Sequence, residues 1–150
     1  MVLVALAAAV VAVAWHTRAA APPSSGVVAE VIDGDTIRVR SGAGTVTVRL
    51  LGIDTPETVH PDRPVGCFGP EASAYTKRLL TGRPVTLRYD RELHDRYGRL
   101  LAYVYTGGTF ANARLVERGY ARTLPIPPNT AHAAQLAALE RAAALAGLGL

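Results

Sequence analysis

Between residues 27 and 51, apolar and polar side chains alternate in three short bursts: VVAEVI (27–32), TIRVRS (36–41) and TVTVRLL (45–51). Asp33-Gly34 and Gly42-Ala43-Gly44 separate them. A period of two in β-branched residues, broken by Asp and Gly, predicts three consecutive antiparallel strands. A long loop follows, from Gly52 to Gly69. Gly69-Pro70-Glu71 opens a predicted helix that runs to about residue 80, because Pro suits the first helical turn and Glu there meets the positive end of the helix dipole. VTLRY (85–89) and LLAYVY (100–105) predict two further strands, joined by the polar segment 90–99. A short helix fits residues 111–118, with Leu115 and Val116 packed inward. After Pro125, Pro127 and Pro128, a last helix over residues 130–146 places Leu136, Leu139 and Ala143 at helical spacing. Five short strands, one helix inserted after the third and more helix at the end predict a mainly β, α+β fold. It is a small five-stranded OB-type barrel with about three helices, an architecture that often binds nucleic acids.

The segment before the first strand has a different character. Residues 2–15 (VLVALAAAVVAVAW) form an uncharged apolar run, shorter than the ~20 residues a membrane-spanning helix needs and close to the core of a signal peptide. Ala19-Ala20-Ala21 before Pro22 offers a cleavage site, and Pro22-Pro23-Ser24-Ser25-Gly26 reads as a linker. Residues 1–26 are thus expected to be a signal peptide or membrane anchor plus linker, and residues 27–150 the folded domain. Arg18, the first basic residue, follows the run instead of preceding it, which keeps an uncleaved anchor open beside secretion. A chain of 150 residues has room for one such domain. Cys67 is its single cysteine, so no disulfide forms within the chain. The thiol is either buried or partnered from outside.

Charge narrows the range of partners. Sixteen Lys and Arg against 12 Asp and Glu give a formal net charge of +4, an excess that favours polyanions such as nucleic acid or an anionic membrane surface. Nearly all of it is arginine, whose planar fork of donors matches phosphate.

The acidic residues supply candidate chemistry. A second hairpin centred on Ala43 sets Asp35 opposite Leu51 and Ile37 opposite Arg49, which puts Asp35 and Arg49 on one face. A one-residue slip would turn Arg49 to the other face. Asp54 lies three residues past the third strand, so two carboxylates converge at one end of the sheet. Such a pair repels unless a cation lies between, and a hard divalent ion with oxygen ligands is the simplest. Calcium tolerates six to eight oxygens, so Asp35, Asp54 and a loop carbonyl would leave positions for water and a phosphate. Taken alone, Asp33-Gly34-Asp35 reads more simply as a hairpin turn. Glu57, a few residues beyond Asp54, is placed to take a proton from an attacking water, although a lone loop glutamate is ordinarily just solvated. Arg99 closes Asp95-Arg96-Tyr97-Gly98-Arg99, by itself an exposed polar turn.

The combination resembles the staphylococcal nuclease family over residues 27 to about 146. The matching stretches are Val31-Ile32-Asp33-Gly34-Asp35-Thr36, Val48-Arg49-Leu50-Leu51-Gly52-Ile53-Asp54-Thr55-Pro56-Glu57-Thr58 and Gly69-Pro70-Glu71-Ala72. Asp95-Arg96-Tyr97-Gly98-Arg99, Leu101-Ala102-Tyr103-Val104-Tyr105 and Leu115-Val116-Glu117-Arg118-Gly119-Tyr120-Ala121 follow in the same order and spacing. The resemblance implies that Asp35, Asp54 and the carbonyl of Thr55 hold calcium. It casts Glu57 as the general base for water, Arg49 and Arg99 as the grip on the phosphate, and Tyr97 as a substrate-binding residue. It further implies a monomeric nuclease that hydrolyses DNA and RNA by in-line attack and leaves 3′-phosphate ends. The run Thr123-Leu124-Pro125-Ile126-Pro127-Pro128 departs from the pattern. Two tyrosines that flank the family's nucleotide pocket stand here as Leu124 and Ile126, which implies weaker base stacking, worth ~1–3 kcal/mol per base in single-strand binders. The rival reading is a non-catalytic OB-fold binding module, which would have no reason to keep Asp35, Asp54, Glu57 and both arginines.

Overall fold

A computed structural model of the chain describes residues 21–57 and 68–149. The predicted leader or anchor over residues 1–20, and Cys67, lie outside the described residues. Five strands form the barrel: β1 (Ser25–Asp33), β2 (Thr36–Ser41), β3 (Gly44–Leu50), β5 (Pro84–Arg88) and β6 (Leu100–Thr106). They hydrogen-bond in the order β3-β2-β1-β5-β6, and a parallel β3–β6 pairing closes the ring. The predicted five-stranded OB-type barrel with three helices is therefore the fold. The first strand starts at Ser25, two residues before the expected Val27, because Ser25 and Gly26 pair with Thr86 and Val85 of β5.

Three two-residue strands escaped the sequence pattern. β4 (Ile53–Asp54) interrupts the expected loop from Gly52 to Gly69 and pairs with β8 (Arg122–Thr123), while β7 (Thr109–Phe110) folds back on β6. Two residues show no alternation, so only the tertiary partner defines such strands.

The β2–β3 register differs by one residue from the expected hairpin. Ser41 pairs with Gly44, so the loop is Gly42-Ala43, and Thr36 rather than Ile37 faces Arg49. Ser41 stabilises the tighter loop: its hydroxyl donates to the Gly44 carbonyl at 3.1 Å and accepts the Ala43 N–H at 3.3 Å. Gly44 supplies the positive φ of 118° that opens the strand. Hydrophobic pairing explains the choice. In the observed register Ile37 meets Val48 and Val39 meets Val46 on the core face, whereas Arg38 meets Thr47 and Arg40 meets Thr45 on the outer face. The expected register would have set Ile37 against Arg49, and a slip of one moves every side chain to the wrong face.

Helices close the barrel. α1 (Gly69–Leu80) buries Ala72, Thr76 and Leu80 at a spacing of four, α2 (Ala111–Glu117) buries Leu115 and Val116, and α3 (Ala133–Leu145) buries Leu136 and Ala143. α3 starts three residues later than expected, since residues 130–132 form a turn. Two polar side chains with no solvent exposure fix helices to the barrel. Thr76 donates its hydroxyl to the Gly34 carbonyl at 2.7 Å, which ties α1 to the β1–β2 turn. Asn112 accepts the Val104 N–H at 3.0 Å and donates to the Leu51 carbonyl at 2.8 Å, which ties α2 to β6 and to the end of β3.

Substituting Asn112→Ala leaves both backbone groups buried without a partner and opens a small cavity. The expected loss is about 3 kcal/mol in urea unfolding; a change below ~1 kcal/mol would show that water replaces the amide.

Candidate active site

Asp35 is not in a strand. Gly34 and Asp35 form the two-residue link between Asp33 and Thr36, so the Asp35 side chain is released from strand parity at the barrel mouth. Its carboxylate is buried and satisfied on both oxygens. Oδ2 accepts the Thr55 N–H at 2.8 Å and the Thr55 hydroxyl at 3.0 Å, while Oδ1 accepts the Thr36 hydroxyl at 3.1 Å. Thr55, expected to act through its carbonyl, thus positions Asp35 with its N–H and hydroxyl. Gly34 is required beside it: a Cβ there would lie 2.6–2.9 Å from the Thr55 side chain.

Arg49 points to the outer face of β3, as the corrected register demands, yet its side chain reaches around the end of the strand. The turn at Leu51-Gly52, with Gly52 at φ 75°, swings Ile53 and Asp54 back beside it. Nη1 donates to the carbonyls of Leu50 at 3.0 Å and Ile53 at 2.9 Å. Nη2 lies 3.0 Å from Asp54 Oδ1 and 3.2 Å from Asp35 Oδ2. The expected meeting of Asp35, Arg49 and Asp54 at one end of the sheet is present, reached by a bent loop and a long side chain instead of by cross-strand pairing. The cation between the two carboxylates is a guanidinium.

Asp35 and Asp54 share this one guanidinium. Burial, then the charge of Asp35, and to a smaller extent that of Asp33, raise the Asp54 carboxyl above the ordinary aspartate value, against the opposing pull of Arg49. Asp54 is more than half exposed on its side chain. Among the described residues no three His, Cys, Asp or Glu side chains are grouped as a metal site. The two carboxylates at the mouth present oxygen donors only, with Thr55 bonded to Asp35 through its N–H and hydroxyl. That chemistry suits a hard divalent ion. Glu57 is exposed and lies two residues beyond Thr55.

Arg99 approaches from the other side of the mouth, carried there by the parallel pairing of β6 with β3, in which Leu100 lies beside Val48 and Leu101 beside Arg49. Asp95 organises its turn. One carboxylate oxygen accepts the N–H groups of Tyr97 at 2.9 Å and Arg99 at 3.0 Å, and the other accepts Arg99 Nε at 2.6 Å. Burial alone would raise the Asp95 carboxyl, but these bonds outweigh it and hold the group below the ordinary aspartate value. Tyr97 is 67% exposed, with the guanidinium carbons of Arg96 and Arg99 at 4.8 and 5.4 Å from its ring centre. Asn129, which no sequence signal marks, clamps the preceding loop by accepting the N–H groups of Arg91 and Glu92 and donating to the Glu92 carbonyl.

Arg49, Arg99 and Tyr97 line one groove of about 460 Å³, whose far wall is Leu124 and Ile126. Comparison with known sequences places this arrangement in a family. A profile described as staphylococcal nuclease homologue matches residues 47–150. The chain belongs to the staphylococcal nuclease family. It is 50% identical over 105 residues to a thermonuclease of Staphylococcus intermedius, covering 70% of this chain and 62% of that protein. A thermonuclease of Staphylococcus hyicus is 49% identical over 102 residues, 68% of this chain and 60% of its own length. Endonuclease YncB of Bacillus subtilis (strain 168) is 43% identical over 101 residues, 66% of this chain and 48% of its own. The chain thus spans less than two thirds of each of these nuclease relatives.

Two outcomes follow from the site's geometry. Gly34→Ala must displace Thr55 from Asp35, with an expected loss of about 1–3 kcal/mol in stability; wild-type stability would mean that the turn absorbs the methyl. Asp95 contributes stability that is complete above the ordinary 3.8 and lost as pH falls through its lowered value. Its carboxyl resonance should accordingly titrate below 3.8 by NMR and move upward in Arg99→Ala. A midpoint at or above 3.8 in the wild type would contradict the bonding described.

Proposed function

We propose that this chain is a calcium-dependent nuclease that hydrolyses phosphodiester bonds of DNA and RNA. The observation that carries the reading is the mouth itself: the carboxylates of Asp35 and Asp54 meeting at Arg49 beside a groove lined by two arginines. Membership of the staphylococcal nuclease family and 43–50% identity to proteins named thermonuclease and endonuclease support it. The non-catalytic binding module gains no support from a barrel mouth in which buried acid is retained at a cost in electrostatic repulsion.

In this reading Asp35, Asp54 and the Thr55 carbonyl hold calcium, which when bound supplies positive charge to a phosphate oxygen. Thr55 and Thr36 keep Asp35 oriented for it through the hydrogen bonds described above. The two arginines differ in what they have left to give. Arg49 commits three terminal N–H groups to the Leu50 and Ile53 carbonyls and to Asp54, and its Nη2 is also ion-paired with Asp35 at 3.2 Å, so it offers a phosphate Nε or an Nη2 N–H turned from the carboxylates. Arg99 spends only Nε on Asp95, which leaves its terminal nitrogens to grip the phosphate bidentately and to meet charge as it builds on the equatorial oxygens. A guanidinium surrenders its proton too reluctantly to protonate the leaving oxygen. Glu57 takes the proton of the attacking water, and in-line displacement breaks the bond to the 5′ oxygen, which takes a proton from solvent water, and leaves a 3′-phosphate. Tyr97 lies against a substrate phosphate. Leu124 and Ile126 provide an aliphatic wall for the base, so base selectivity is low.

The apolar run over residues 2–15 supports secretion, with an uncleaved membrane anchor as the alternative, and the enzyme acts as a monomer.

The test is cleavage of plasmid and single-stranded DNA by the full chain, with calcium or with a chelator. Cutting in calcium alone is expected; no cutting in calcium would sink the enzyme, and cutting indifferent to chelation would sink the metal. Glu57→Gln should bind nucleic acid as before and cut about 10²–10⁴-fold more slowly. Full activity in that variant would move the base elsewhere.

A further inference from the structure

The groove beside Arg49 and Arg99 carries a carboxylate that the fold itself does not use. Two acidic side chains line it, Glu92 and Asp95. Asp95 is spent on its own turn, with one oxygen on the N–H groups of Tyr97 and Arg99 and the other on Arg99 Nε. Glu92 bonds only through its backbone, and its exposed side chain makes no hydrogen bond or ion pair among the described residues.

Asn129 fixes where that side chain stands. Its backbone N–H donates to the Ile126 carbonyl at 3.0 Å, while its amide accepts the Glu92 N–H at 2.8 Å and donates to the Glu92 carbonyl at 2.9 Å. One buried residue thus joins Glu92 to the aliphatic far wall of the groove. Both sides of the joint are held as well. Asn129 also accepts the Arg91 N–H, and Leu124 donates its own N–H to the Gly52 carbonyl at 2.9 Å. The groove is therefore two-ended in charge, with Arg49 and Arg99 on one side and a free carboxylate beside Leu124 and Ile126 on the other.

A nucleotide held by its phosphate at the arginines turns its base toward this wall. Leu124 and Ile126 have neither donor nor acceptor on their side chains, so any choice among bases falls to the polar groups next to them. An ionised carboxylate only accepts, and its two oxygens are best met by two parallel N–H bonds. Among the common bases, guanine alone offers such a pair on its Watson–Crick edge, at N1–H and the N2 amino group. Adenine and cytosine set one amino group beside an acceptor nitrogen. Uracil and thymine flank N3–H with two carbonyls that repel the charge.

We infer that Glu92 is a specificity-determining residue, which gives the groove a preference for guanine by accepting N1–H and an N2 amino N–H together. The inference rests on the nucleotide reading of the groove and is independent of hydrolysis. Water competes for an exposed carboxylate, so the preference is modest in size.

Small ligands and the full chain test it. Guanosine, inosine, adenosine and uridine 3′,5′-bisphosphates carry a phosphate on each side of the sugar, so one reaches the arginines whichever way a strand would run. In calorimetric titrations with calcium present, the guanosine ligand should bind about fivefold more tightly than the uridine ligand. Inosine keeps N1–H but lacks the N2 amino group, and should fall between them. Glu92→Gln preserves the shape and replaces one acceptor by a donor, so guanosine should lose its advantage while uridine gains. A merely structural role, or simple repulsion of phosphate, would shift all four ligands alike, and that result would overturn the assignment. Equal affinities in the wild type, inosine bound as tightly as guanosine, or an unchanged ranking in Glu92→Gln would each do the same, as would failure of all four to bind. Guanine preference in a wild type that cuts no plasmid would sink the nuclease reading and leave the pocket standing. Plasmid cleavage without that preference would sink the pocket alone.

Discussion

The guanidinium of Arg49 holds the barrel mouth together. It joins the carbonyls that end β3 and begin β4 to the carboxylates of Asp35 and Asp54, four acceptors drawn from three segments of chain. Without it, two carboxylates would face each other at the edge of an apolar core. Removing one partner of such a desolvated set leaves a buried charge unpaired, which costs more than the contact itself contributes. Burial, and after it the charge of Asp35, raise the Asp54 carboxyl despite Arg49. The mouth thus keeps a repulsion between Asp35 and Asp54 that a further cation would relieve.

The rest of the fold places partners around that cation. Parallel closure of β3 on β6 carries the Asp95 to Arg99 turn to the same end of the barrel. Thr76 holds the turn that presents Asp35, and Asn112 holds the strand end that presents Arg49. Each is a buried polar side chain with its hydrogen bonds made, and among the described residues no buried side-chain nitrogen or oxygen lacks a partner. Such satisfied polar pins define one arrangement where apolar packing alone would tolerate several.

Much of this was legible in the sequence, for physical reasons that also mark where legibility ends. Alternation and turn residues locate the five barrel strands, and Pro70 with Glu71 locates the start of α1 almost to the residue. The second hairpin was misread because three small residues, Gly42, Ala43 and Gly44, fit a turn of two or of three. The register is decided by pairing Ile37 with Val48 across the core, a tertiary preference. Arg49 was grouped with Asp35 on a same-face argument that the true register removes; the grouping survives because Asp35 sits in a turn and arginine is long enough to round the strand end. Asn129 and the hydroxyl of Thr55 carried no local signal, and Asp95 stood in a matching stretch without a role. They act on backbone groups brought near them only by folding, and a lone Asp, Asn or Thr in a polar loop is the commonest thing a sequence contains.

On the nuclease reading, the groove beside Arg49 and Arg99 offers a nucleotide base Leu124 and Ile126, 40% and 59% exposed. Aliphatic side chains bury apolar area against a base but lack the π face that makes aromatic stacking strong. Glu92 and Asp95 on the same groove repel any phosphate that strays from Arg49 and Arg99, which holds the strand in one register. Where the base contributes little, the backbone must contribute more, and backbone contacts through arginine and amide groups are indifferent to sequence and sensitive to salt. On that reading, an aliphatic base wall beside two arginines points toward a protein that holds nucleic acid by its phosphates.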